Sequence, residues 1–135
     1  MATRSRIGIK TGDTVRHIYC HWDGYPENNG KILLNHYTTP EKVNELIDGG
    51  NLSVLAENIN TDLPHSWENR VDGVCVYYGR DRGETGQQPK KCYPIEYRDS
   101  AVDHLYLFDT DNNKWHIDTN LGVFIELTPR ICKCD

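Results

Sequence analysis

Nowhere in the chain do apolar residues run together for the roughly 18–20 positions a membrane span needs, so no segment reads as a transmembrane helix. The opening, MATRSRIGIK, lacks the apolar core of a secretory signal, and the expected site of action is the cytoplasm of the cell that makes the protein. Several catalytic signatures are missing as well. There is no G-x-S-x-G, P-loop, H-E-x-x-H or dinucleotide fingerprint, which removes the sequence warrant for the commonest hydrolases, nucleotide-dependent enzymes and zinc proteases. No repeat, heptad or low-complexity tract appears. Excess positive charge is lacking too: 15 Lys and Arg against 20 Asp and Glu leave a net charge of −5. That sign is wrong for a general DNA binder and argues against general nucleic-acid binding, is too mild for a nucleic-acid mimic, and leaves room for a local basic patch. The five cysteines, Cys20, Cys75, Cys92, Cys132 and Cys134, are odd in number and irregular in spacing. A secreted disulfide framework does not fit them, and free thiols are expected.

What is present is one domain's worth of chain, residues 1–135, with eight Tyr, three Trp and two Phe to build a core and ligand walls. SRIGIK and TVRHIYCHW, joined by TGD, predict an N-terminal β-hairpin. Along its second strand, Val15, His17, Tyr19 and His21 alternate with Arg16, Ile18, Cys20 and Trp22, and both faces are apolar enough to need cover. KILLNHY predicts a short helix. TTPEKVNELIDGG predicts a firmer one, with Thr38 and Glu41 as a capping box, Pro40 in the first turn, Val43, Leu46 and Ile47 on one face, and Gly49-Gly50 as the stop. Residues 51–70 read mostly as loop, GVCVYYG as a strand, and RDRGETGQQPKK as a mobile loop. AVDHLYLFD and KWHIDT form a second hairpin around TDNN, and GVFIEL closes the chain as a strand. The expected fold is α+β: one domain, a mainly antiparallel sheet with N- and C-terminal hairpins, and one or two helices packed on one face.

Four stretches taken together, ATRSRIGI, YCHWDGYPE with its following GK.L..HY, RDRGE, and YLFD…KW, resemble a family of small proteins encoded by tailed bacteriophages, including phages of cyanobacteria. The resemblance covers most of the chain but not QQPKKCYP or the ICKCD tail. It implies an accessory protein made in the cytoplasm of the infected bacterium and directed at host machinery or host immunity. It carries no reaction, cofactor or catalytic residue.

The stretch IYCHWDGYPENNGK gathers His21, Trp22, Asp23, Tyr25 and Glu27 where a strand gives way to a loop, a position from which side chains project into clefts. His21 has the chemistry of a neutral-pH acid or base, Asp23 could orient it or bind a cation, and Trp22 and Tyr25 could stack on a planar ligand. A purely structural corner, turned at Asp-Gly and fixed by Tyr-Pro, explains the same residues. Just past another strand, RDRGE presents Arg80, Arg82 and Glu84; two arginines suit a phosphate or carboxylate, while pairing within the loop is the plainer alternative. Arg4 and Arg6 share one strand face and could add to such a site, or could guard a sheet edge against pairing. His17, Cys20, His21, Cys132 and Cys134 match a zinc site poorly. Asp109, Asp111 and Asn113 fit a hairpin turn better than a calcium loop.

The leading expectation is a non-enzymatic protein that binds a host component through a lip formed by His21, Trp22, Asp23 and Tyr25 with Arg80, Arg82 and Glu84. No catalytic residue, metal or cofactor is assigned. The partner is either a host protein, met through exposed aromatics such as Trp22, Tyr25 and Trp67, or a nucleotide-like small molecule held as a sponge. An open aromatic patch would mark the first and an enclosed pocket with convergent arginines the second. The rivals are a small hydrolase or nuclease using His21, Asp23 and Glu84, and a structural component of the virion.

Overall fold

The computed structural model describes residues 2–118 and 123–133. β1 (Ser5–Thr11) and β2 (Thr14–Cys20) form the expected hairpin, closed at the Thr11–Thr14 pair with Gly12 at a φ of +59°, a turn geometry matched to strand twist. A wide turn over Pro26–Gly30 leads directly into α1 (Lys31–His36), and α2 (Pro40–Asp48) follows. Next come β3 (Leu52–Val54), β4 (Val76–Tyr77), β5 (Lys90–Cys92), α3 (Pro94–Arg98), β6 (His104–Asp109), β7 (Lys114–Asp118) and β8 (Phe124–Glu126).

The eight strands make one sheet in the order β4-β3-β2-β1-β6-β7-β8, and β5 also pairs with β2. The β1–β6 and β2–β3 pairs are parallel and the others antiparallel, so the sheet is mixed but mostly antiparallel. The outer side of β2 is shared: β5 pairs at Val15–His17 and β3 at Cys20.

Strand alternation splits the apolar residues into two cores. Ile7 and Ile9 of β1, Ile18 and Cys20 of β2, and Tyr106 and Phe108 of β6 face α1 and α2, where Leu33, Val43, Leu46 and Ile47 complete the main core. Trp115 closes it, its indole N–H donating to the Tyr37 carbonyl at 2.7 Å. On the opposite face α3 sets Tyr97 over Gly8, among Val15, Leu105 and Leu107, with the Phe124 ring stacked on it at 6.2 Å. Both faces are thus covered in part, α1 and α2 being the helices expected on one face and α3 an addition on the other.

Local expectations need four corrections. The hydroxyl capping α2 belongs to Thr39, which accepts from Lys42 N–H at 3.2 Å; Pro40 takes the first helical position and holds Thr39 extended, so Thr38 and Glu41 do not form the capping box. In GVCVYYG only Val76–Tyr77 joins the ladder. The end of the supposed mobile loop is β5, its Lys90–Cys92 drawn into order by the free side of β2 rather than by strand propensity. And β1 lies in the middle of the sheet, so Arg4 and Arg6 guard no edge. The hairpin reading of TDNN holds: Asn113 takes a φ of +54°, and Lys10 lies 3.9 Å from Asp109 and 3.5 Å from Asp111.

Candidate functional site

The corner after β2 is built from the backbone outward. His21 and Trp22 N–H donate to the Leu52 and Ser53 carbonyls at 3.1 Å, so the ladder with β3 outlasts the strand. Asp23 enters the left-handed region at a φ of +55°, and Gly24 N–H donates to the Thr3 carbonyl at 2.8 Å. The Gly24 carbonyl accepts from Tyr106 O–H at 2.6 Å, and buried Asn29 donates to Ser5 Oγ at 3.3 Å and to Cys20 Sγ at 3.4 Å. Asn28 ties off the Asp23 carbonyl at 3.1 Å. These bonds spend the corner's polar backbone on holding the turn. They leave Trp22, 42% exposed, and Tyr25, 40% exposed, directed at solvent.

His21 Nδ1 lies 2.7 Å from the Tyr19 hydroxyl, and its ring meets Trp22 edge-on at 4.7 Å. Among the described residues no hydrogen bond joins His21 to Asp23 or to Glu84, whose carboxylate pairs with Arg82 at 2.9 Å. The geometry a hydrolase would need from these three is therefore not assembled.

Arg80 is spent on neighbouring protein groups, although its side chain stays 36% exposed. Its guanidinium donates to the Ile59 carbonyl at 2.6 Å, the Cys75 carbonyl at 2.9 Å and both oxygens of Asp81 at 2.8 and 3.0 Å, while lying over the Tyr77 ring. Asp81 also accepts from Tyr77 N–H at 2.8 Å, so this bidentate pair is a staple for the loop. Arg82 stays at the surface, its guanidinium between the Tyr78 ring at 5.0 Å and the Trp67 ring at 5.1 Å. Trp67 itself is 50% exposed.

Arg6 stands directly across from Tyr19, with its guanidinium 5.8 Å from that ring and 3.1 Å from His17 Nδ1. A guanidinium only donates, so His17 Nδ1 accepts and the imidazole is neutral. Burial first, then the charges of Arg6 and Lys90, push the His17 pKa down to about 4. Arg6 therefore has two neutral partners and, among the described residues, no carboxylate. This is a cation fixed on a central strand without a counter-ion.

Asn51 joins this position to the arginine loop. Its side chain accepts from Tyr19 N–H at 2.9 Å, filling the gap in the ladder between β5 and β3, and its carbonyl accepts from Tyr78 N–H at 3.1 Å. Tyr77 faces the main core, so Tyr78 takes the other face, with Tyr19, His21 and, by alternation along β1, Arg4 and Arg6. α3 covers the neighbouring part, over Gly8, Leu105 and Leu107, and reaches as far as His17, whose ring lies 5.1 Å from that of Tyr97; beyond it no helix among the described residues covers this part of the sheet.

Of the expected lip, His21 and Arg82 border one open face, Trp22 and Tyr25 project beside it, and Arg80 is committed to Asp81 and to the Ile59 and Cys75 carbonyls. The sequence assigns Tyr19 and Asn51 no site role, and His17 only that of a poorly matched zinc ligand. The hairpin turn contained the signal for Tyr19, since closure at Gly12-Asp13 fixes the register that sets it against Arg6. The clefts do not enclose the cations: one of about 390 Å³ holds Arg4 with Ala2 and Asp103, another of about 190 Å³ holds Arg80 with Asn60 and His65, and each has one arginine and no tryptophan or tyrosine wall.

For a metal, Cys20 lies in the main core, away from the face bearing His17 and His21, and Cys132 is buried against Gly30 and Tyr106. Cys134 lies outside the described residues. Among those described, no group of three His, Cys, Asp or Glu could hold a metal ion. No helix there is long and apolar enough to cross a membrane. No protein-family model, curated protein or solved structure matches the chain.

Proposed function

We propose that this is a non-enzymatic accessory protein, acting in an infected bacterium in host takeover or counter-defence, that binds a host component across the open half of its sheet. The phage setting rests on the motif resemblance alone. The binding reading rests on Arg6, a fixed cation with neutral partners, flanked by Tyr19 on the part of its face that α3 leaves open. An arriving anion would give this guanidinium the charged partner it lacks among the described residues.

The open arrangement favours a partner that lies across the surface. A small molecule swallowed as a sponge would call for arginines converging on a pocket, and the clefts at Arg4 and Arg80 each hold one.

The test is native mass spectrometry of the protein purified gently from its infected host, beside an Arg6→Glu variant matched for thermal stability. A mass above an integer multiple of the 15.6 kDa chain, reporting a bound component, is expected with the wild type and is lost in the variant. A component retained equally by both would remove Arg6 from the interface. Turnover of a phosphoester or peptide that disappears with His21→Ala would replace binding by hydrolysis.

A further inference from the structure

Resting on that reading, we infer that the occupant of the open face is single-stranded nucleic acid, with phosphates at Arg4 and Arg6 and bases stacked on Tyr19, Tyr78 and Trp67. Three features on the surface lead to this class of partner.

The first is composition. The ring-bearing side chains of this region are Tyr19, His21, Tyr78 and Trp67, interleaved with Arg4, Arg6 and Arg82. Of the exposed aliphatics, Ile95 belongs to α3 and Val123 and Ile125 to β8 and its approach, while a single one, Leu63, lies in the loop that leads to Trp67. A protein interface of this kind wants an apolar centre, whereas bases want π faces and their linkers want cations. The second is width. β1, β2, β3 and β4 are consecutive neighbours, so the face spans about 14 Å, which on an open sheet suits two or three stacked bases. The third is local charge. Although the chain carries −5 overall, both Arg6 and Lys90 act on His17, and Arg4 and Arg6 both lie near Tyr19. Of the neighbouring carboxylates, Glu84 pairs with Arg82, and Asp103 accepts from the backbone N–H of Arg4 at 2.9 Å.

A duplex would not serve these groups, because its bases keep their π faces stacked inside the helix. A single strand presents both features at once. Nothing on the face reads a 2′-hydroxyl or a base edge, so RNA and DNA share the required chemistry.

The test is fluorescence anisotropy with labelled eight-nucleotide oligothymidylate and oligouridylate, the matching duplex, and a labelled eight-residue glutamate peptide. One or both single strands are expected to bind at least roughly tenfold more tightly than the duplex, from the loss of stacking alone. Two phosphate contacts predict about a sevenfold loss of affinity between 50 and 200 mM salt, and Arg4→Gln or Arg6→Gln should each reduce that to about threefold. Tyr78→Ala should weaken binding roughly tenfold with the salt dependence unchanged. The two arginine variants give independent readings should one fail to fold. Equal affinity for duplex, or binding indifferent to all three substitutions, overturns the inference. Binding of the glutamate peptide without either strand also overturns it and makes the occupant an acidic protein segment, leaving the proposed function standing. Should neither probe bind, the inference falls, and the infected-host comparison with Arg6→Glu decides separately whether the face binds anything.

Discussion

A guanidinium keeps its proton at any pH a cell reaches, so the burden of adjustment at the Arg6–His17 contact falls on the imidazole. The folded pKa of His17, about 4, lies below its ordinary 6.5 because the ring is buried and faces Arg6 and Lys90. Between these values the unfolded chain takes up a proton that the folded chain refuses. The stability associated with neutral His17 is complete above about pH 6.5 and drains as pH falls toward 4, by on the order of 3 kcal/mol in all. Burial also lowers the His104 pKa, which adds loss in the same direction, so the useful measurement is a difference between proteins. Urea unfolding at pH 7 and pH 5 should show wild type losing more stability than His17→Gln, and parallel losses would mean that the imidazole does not hold the neutral state described. At this scale the sequence was a partial guide. The types and spacing of Arg4, Arg6, Arg80 and Arg82 were legible, but which guanidiniums are spent on protein groups depended on tertiary placement, such as that of the Ile59 carbonyl against Arg80, that no local pattern announces.

Elements were legible where periodicity and turn chemistry agreed. Val43, Leu46 and Ile47 are all fully buried on α2, and the strands of both hairpins lie where alternation put them. The stop at Gly49-Gly50 has a packing cause beyond propensity: a Cβ on Gly49 would strike the Tyr77 ring, and Gly50, at a φ of +86°, has the Gln87 carbonyl against it. The cap assignment missed by one residue because two threonines precede Pro40. Thr39→Ala should cost about 1 kcal/mol in chemical denaturation and Thr38→Ala close to nothing; the reverse order would restore Thr38 as the cap. α3 was not legible, since five residues beside a polar loop carry too short a period to read and too few bonds to hold a helix alone. Tyr97 supplies what the helix lacks, with its ring in the second core and its hydroxyl donating to the Tyr106 carbonyl at 2.6 Å. Tyr97→Ala should cost about 3–5 kcal/mol and expose the helical amides at positions 96 and 97 to rapid exchange, whereas Tyr97→Phe should cost about 1 kcal/mol and leave α3 in place. An equal loss from both would put the hydroxyl, not the ring, in charge of that face.

At the scale of the whole molecule, the central pairing of β1 with β6 joins residues about a hundred positions apart, which explains why fold class could be read from the chain while strand order could not. The same order wraps most thiols inside. Cys20 and Cys75 are fully buried in the main core, Cys132 is 1% exposed, and Cys92 is half-buried beside α3. Burial drives the Cys20 pKa up to about 12 and raises that of Cys75, so neither offers a thiolate at pH 8 while the fold is closed. Reaction with an aromatic disulfide, located by mass spectrometry in a Cys134→Ser background, should therefore proceed in stages. Cys92 reacts first. Cys132 follows, because it sits on a short terminal turn held by bonds such as its own N–H to the Thr128 carbonyl at 3.2 Å, and such a turn opens at less cost than the sheet. Cys20 and Cys75 occupy the centre between β2, β4 and the helices, so they should react together, at least about 1,000-fold more slowly than in the unfolded chain and at a rate that follows global stability. If Cys75 reacted well ahead of Cys20, the β3–β4 end of the sheet would be opening on its own, and the face built on Tyr78 would be a mobile platform instead of a fixed one.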